Sequence, residues 1–395
     1  MSEGVGLEKI PLENQPHDCV FSPNSDHIYI GLVTGEIKGF GFNDTSFERK
    51  LRVRPSKKSC RGLDISSDGS TLYAVSKDGS INYVDAHTGQ ISHTKAQAHD
   101  NPISRVKLTM PNLVATGDDE GVVKLWDTRK PEAVRAYTHH FDYISDFYYE
   151  DPQRKLLTSS ADGTLSVIDV RNNKPEPVGH SDDQEDELLS IAPLAGTSKY
   201  AVGTQLGVLS IFNSKQGWGD CVDRIPGHPQ SIDALVSLGP SILATGSSDG
   251  LIRVMGVLPT KFMGVIGDHG EFPIERMKLS SDSKWLASMS HNEELMMTRV
   301  DDMFEDSDGE DAAEDADADM AKDDSDEDES KEEAEEDAEM EQQAEAQEKE
   351  AEAEEEEDSD SDSSPEPQPE PIKKKSKKNK HFIDNDSSAA FFDDL

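Results

Sequence analysis

The sequence predicts an all-β fold, a seven-bladed β-propeller over residues 1–300, followed by a disordered acidic C-terminal tail. One sheet-forming unit recurs seven times, its spacing hardly varies, and acidic charge collects after the last copy. The clearest copies lie at 74–85, 115–127, 157–169, 201–213 and 244–256, each with a small-x-small strand, a glycine turn and an alternating strand. A weaker copy surrounds Gly35, and a degraded one carries Glu293 where the turn glycine belongs. The shared position falls at 35, 79, 121, 163, 207, 250 and 293, so its steps are 42 to 44 residues. That matches the roughly 40–45 residues of one propeller blade.

Each element of the unit has a physical role. In Val122-Val123-Lys124-Leu125-Trp126 and Thr164-Leu165-Ser166-Val167-Ile168, alternation sends successive side chains to opposite faces of a strand. The turn glycine supplies the positive φ that a tight hairpin needs. A lone four-stranded sheet cannot bury both faces, so the units must stack around an axis and close into a ring. After 295–300, the third strand of the seventh unit, the chain turns acidic, so the N-terminal segment 4–12 is expected to supply the missing outer strand.

These residues resemble the WD-repeat family, whose blades carry a Gly-His pair near the start and a Trp-Asp pair closing the third strand. His99, His140, His180, His228 and His269 stand 22 to 27 residues before their turn positions, with full pairs at Gly179-His180 and Gly227-His228. Trp-Asp survives once, as Trp126-Asp127, and Phe40, Val84, Ile168, Phe212, Met255 and Thr298 stand at the equivalent places. The resemblance implies that all five histidines hydrogen-bond within their blades, as scaffold rather than metal ligands or catalysts.

Charge divides the chain further. Of 81 acids and 39 bases, 35 acids and only three lysines lie in 301–364. That stretch lacks the apolar surface to offset chain entropy, so disorder is expected. It is read either as a solvating spacer or as a binder of basic partners, with acid-flanked Ser307, Ser325, Ser359 and Ser361 as candidate phosphorylation sites. In 365–395 a proline-rich hinge precedes Lys373, Lys374, Lys375, Lys377, Lys378 and Lys380, a nuclear or nucleolar localisation signal. RNA phosphate and a counter-charge to the acidic run are the competing readings of these lysines. Phe391, Phe392 and Leu395 then suggest a docking peptide on a tether.

Neither a basic-then-apolar leader nor a run of about 18 apolar residues occurs, so an intracellular protein without a membrane span is expected. Cys19, Cys60 and Cys221 are odd in number and widely spaced, as buried thiols rather than disulfides or a zinc site would be. Phosphate-loop, dinucleotide, HExxH and GxSxG patterns are lacking, so no enzyme and no cofactor are expected.

Two surfaces of the folded part are candidates. Arg52, Arg54, Lys57, Lys58 and Arg61 could meet RNA or an acidic partner, although no aromatic residue accompanies them and a solvated loop is the alternative. Trp126-Asp127-Thr128-Arg129 resembles the box by which some WD-repeat proteins attach to the adaptor of cullin-four ubiquitin ligases, with Arg129 meeting an adaptor carboxylate.

The order of parts along the whole chain resembles the nucleolar WD-repeat family that includes vertebrate WD-repeat protein fifty-five and its fungal counterparts. That resemblance implies a non-enzymatic scaffold in the nucleus and nucleolus, acting in ribosomal RNA processing and assembly of the large ribosomal subunit. Its expected partners are pre-ribosomal proteins or basic assembly factors, with the propeller itself monomeric inside larger complexes. The other reading is a substrate receptor of a cullin-four-type ubiquitin ligase.

Overall fold

Seven four-stranded antiparallel sheets form from the seven units, as a computed structural model that describes residues 7–301 shows. The acidic run, the lysine-rich signal and the Phe391–Phe392–Leu395 peptide lie outside the described residues. Blades one to six span 16–53, 60–95, 103–137, 144–180, 188–226 and 232–268, each a meander in chain order from axis to rim. Blade seven has three strands from 274–299 and takes Leu7–Pro11 as its outermost strand. Leu7 pairs with Thr298 and Ile10 with Leu295, and the Leu12 amide donates to the Glu293 carbonyl at 2.8 Å. The ring is thus closed by the two ends of the folded unit.

The core lies between neighbouring sheets, where alternate residues of each strand interleave. At the closing junction Ile10, Leu12, Ile28, Ile30 and Phe40 pack with Trp285, Met289 and Leu295. The six turn glycines, Gly35, Gly79, Gly121, Gly163, Gly207 and Gly250, have φ between 76° and 83°. Positive φ is half of the requirement, and close approach is the other half. A Cβ on Gly250 would sit 2.1 Å from the Gly270 carbonyl oxygen, and one on Gly35 would sit 2.2 Å from that of Lys58. Each turn is therefore pressed against the loop that leads into the next blade.

Side chains on the innermost strands stitch blade to blade. The Asp18 carboxylate accepts the Leu63 amide at 2.8 Å, Asp64 accepts that of Leu108 at 2.7 Å, and Asp146 accepts that of Ile191 at 3.2 Å. Burial pushes the Asp18 and Asp146 carboxyls above their usual range. Cys19 and Cys60 are buried free thiols as expected, whereas Cys221 is only half-buried, its sulfur accepting from the Arg224 guanidinium at 3.1 Å.

Candidate functional site

In a meander that runs from the axis outward, the turn between second and third strands and the loop to the next blade emerge on the same face. Hydrogen bonds confirm this pairing: the His99 amide reaches the Gly79 carbonyl, His228 reaches Gly207, and His269 reaches Gly250. This loop face carries four of the blade histidines, the cationic segment and a central cup.

The histidines are buried and bonded within their blades. In blade three, His99 Nδ1 meets Asp118 at 2.7 Å, its Nε2 meets Thr116 Oγ1 at 2.7 Å, and the Trp126 indole donates to the same hydroxyl at 2.8 Å. His228 and His269 reach Thr245 and Ser288, both at 2.8 Å, and burial pushes both rings down to about 4. His140 bonds Asp162 and Thr164 through Nδ1, both at 3.0 Å, and Ser166 through Nε2 at 2.8 Å.

His180 departs from the expectation. It is exposed, on the two-residue outer strand of blade four, and the position it was assigned in blade five belongs to the buried Gln184. The Gln184 amide makes the diagnostic bond to the Gly163 carbonyl at 3.0 Å. Spacing carried the signal, since His180 precedes its turn by 27 residues and the other four by 22 to 24.

A cup of about 470 Å³ opens at the centre of the loop face, lined by His17, Arg61, Arg105, Tyr143, Glu275 and Arg276 among others. Its cations are already engaged. Arg61 Nη1 donates to both oxygens of the Asp119 carboxylate at 2.7 Å, and Arg276 spans the channel from blade seven to the Ser145 carbonyl of blade four at 2.8 Å. Arg105 of blade three donates to that same carbonyl.

The structure divides the cationic segment among several surroundings. Arg52 lies on the outer strand of blade one and pairs with Glu36 at 2.9 Å, Arg54 donates to the Thr34 carbonyl, and Arg61 faces the cup. Of the five, Arg54, Lys57 and Lys58 are exposed and without an ion pair among the described residues. Farther round the ring, Asp182, Asp183, Glu185, Asp186 and Glu187 load the loop into blade five with acid.

The loop face also exposes large apolar side chains that the sequence reading missed: Val33, Phe141, Leu206 and Phe272, with Phe141 87% and Leu206 72% accessible. All four sit in second-to-third-strand turns or inter-blade loops. A signal existed at Leu206, which stands where Asp78, Glu120, Asp162 and Asp249 precede the turn glycine in other blades.

Trp126 and Asp127 close the third strand of blade three, and Arg129 follows on the opposite face. The Arg129 guanidinium forks onto its own Asp127 at 2.8 Å through Nε and Nη2, and Arg171 does the same with Asp169. The Arg129 guanidinium and backbone amide hold the Asp127 carboxyl well below the usual range.

Comparison with known proteins agrees with the architecture. A family model for WDR55 matches residues 7–303. The WD repeat-containing protein JIP5 of Coprinopsis cinerea is 49% identical over 310 residues, covering 76% of each chain. WD repeat-containing protein 55 of Arabidopsis thaliana is 34% identical over 293 residues, covering 73% of this chain and 81% of its own. The rat protein of that name is 33% identical over 290 residues, covering 73% and 75%. With seven closed blades, the blade-three Asp-His-Thr-Trp network and these matches together, the chain belongs to the WDR55 family of WD-repeat proteins.

Proposed function

We propose that this protein is a non-enzymatic nucleolar scaffold that uses its loop face to hold proteins of ribosome precursors during ribosomal RNA processing. The observation that carries the reading is that Val33, Phe141, Leu206 and Phe272 are exposed on the loop face, whereas the other exposed large apolar side chains, such as Phe262 and Val265, lie on or next to the outer strands. Apolar groups in such turns weaken a folded monomer's solubility, and their natural use is as anchors in a protein contact. The acidic loop into blade five, whose Asp186 accepts the Leu206 amide, favours basic partners, the prevailing charge of ribosomal proteins. The cup's guanidiniums are taken by protein acceptors, which counts against direct RNA recognition there. Localisation to the nucleolus rests on the lysine cluster at 373–380.

The test is affinity purification of the full chain beside a Phe141→Ala/Leu206→Asp variant. Pre-ribosomal proteins should be recovered with the wild type and reduced at least several-fold with the variant. Equal recovery would overturn the role given to this face. The ligase-receptor reading keeps one supporting observation, that Arg129 and Arg171 are exposed in the same turn of adjacent blades.

A further inference from the structure

We infer that His139, His140 and His180 bind one transition-metal ion, Zn²⁺ by preference, which clips the loop entering blade four to that blade's outer strand. The backbone brings the three together from two places. His139 and His140 are adjacent in the loop, while Gly179-His180 forms the outer strand, paired to Ser166 and Val167. Gly179 is located by close contact, since a Cβ there would lie 2.6 Å from the Trp218 ring. Ring centroids are 4.4 Å apart for His139 and His140, 5.3 Å for His139 and His180, and 5.6 Å for His140 and His180.

One nitrogen from each ring lies within 4.8 Å of the others. Zinc–nitrogen bonds of about 2.0–2.1 Å in tetrahedral geometry ask for nitrogens about 3.3 Å apart. The contraction needed is therefore at most about 1.5 Å, and His180, exposed at the rim, has room to rotate inward.

His139 supplies the independent observation. Both of its ring nitrogens are buried and have no hydrogen-bond partner among the described residues. A buried imidazole with neither nitrogen satisfied is disfavoured unless something else takes a lone pair. His140 is oriented by the Asp162 carboxylate on Nδ1, the carboxylate–histidine arrangement that aims a ligand at a metal, and coordination there replaces one of its present hydrogen bonds. Three neutral imidazoles select zinc-like ions over Mg²⁺ or Ca²⁺, and leave a fourth position to solvent. The ion would hold in place the loop whose next residue is the exposed Phe141.

The experiment uses the full chain, free of any polyhistidine tag and stripped with EDTA. ZnCl₂ is titrated calorimetrically, and CoCl₂ is followed by visible absorption. The wild type should bind one equivalent and develop Co²⁺ ligand-field bands. His180→Ala and His139→Gln should each weaken that event about tenfold or more and abolish the bands. Circular dichroism checks that the variants keep the wild-type sheet signal, and His180→Gln decides the matter if the alanine variant does not. A wild type without a one-equivalent event, or folded variants that bind like it, would overturn the site. The second outcome would place the metal on carboxylates elsewhere.

Discussion

Removing residues 1–14 should destroy cooperative folding of the propeller, although it deletes a single outer strand. Ile10 and Leu12 are 1% and 0% accessible and pack with Trp285, Met289 and Leu295 across the closing junction. Cutting either to alanine should cost about 2–5 kcal/mol. The truncation also strips the ladder from Leu7 to Pro11 along the third strand of blade seven. It further leaves the Lys38 ammonium, 1% accessible, without the Leu12 carbonyl and the Glu13 carboxylate that now accept from it. An uncompensated buried charge costs about 3–5 kcal/mol more. The sum is of the same size as the roughly 5–15 kcal/mol that stabilises a typical domain. Urea unfolding followed by tryptophan fluorescence suits the question, because Trp285 sits in the disturbed junction. Ile10→Ala should lower the midpoint with the slope retained, and the truncation should show no single transition. Adding Lys38→Met to the truncated chain should recover part of the loss. A truncated protein with the wild-type midpoint and slope would refute the reasoning.

Thr116→Val removes the hydroxyl shared by His99 and Trp126, leaving two buried nitrogens unpaired, and should cost about 2–4 kcal/mol in the same assay. For His269 the folded ring titrates at about 4, below the unfolded value of about 6.5, so the unfolded chain binds the extra proton first. Its contribution is complete above about pH 6.5 and is lost as pH falls toward 4, by up to about 3 kcal/mol. His269→Gln should therefore flatten the stability curve across that window, which denaturant titrations at stepped pH would show. Arg129→Ala should leave the urea midpoint unchanged, since its ion pair is exposed. If that variant captures the ligase adaptor from extract as well as the wild type, the receptor reading fails.

The ring was legible because a blade is a local pattern: turn glycines that must take positive φ, and alternation that must fill both faces of a sheet. Even the closing strand followed from counting strands in the last unit, and Leu7–Pro11 fills that place. What escaped the sequence depends on neighbours distant along the chain. The cations at 52–61 look like one patch in order, yet Glu36, Thr34 and Asp119 divide them among three surroundings. The exposure of Phe141 was hidden because apolar residues are ordinarily assigned to strands, and only the topology places this one in a loop. His180 was misplaced because a Gly-His pair is a short word, and Gln184 does its work in a different spelling.

The arginine that reaches across the channel has a mechanical consequence. With Arg276 from one side and Arg105 from another sharing the Ser145 oxygen, three blades that are not all neighbours meet at a common hub. A wheel with spokes resists ovalisation better than a bare rim does. A strand of peptide or nucleic acid threading such an axle would first have to break both bonds to the Ser145 oxygen.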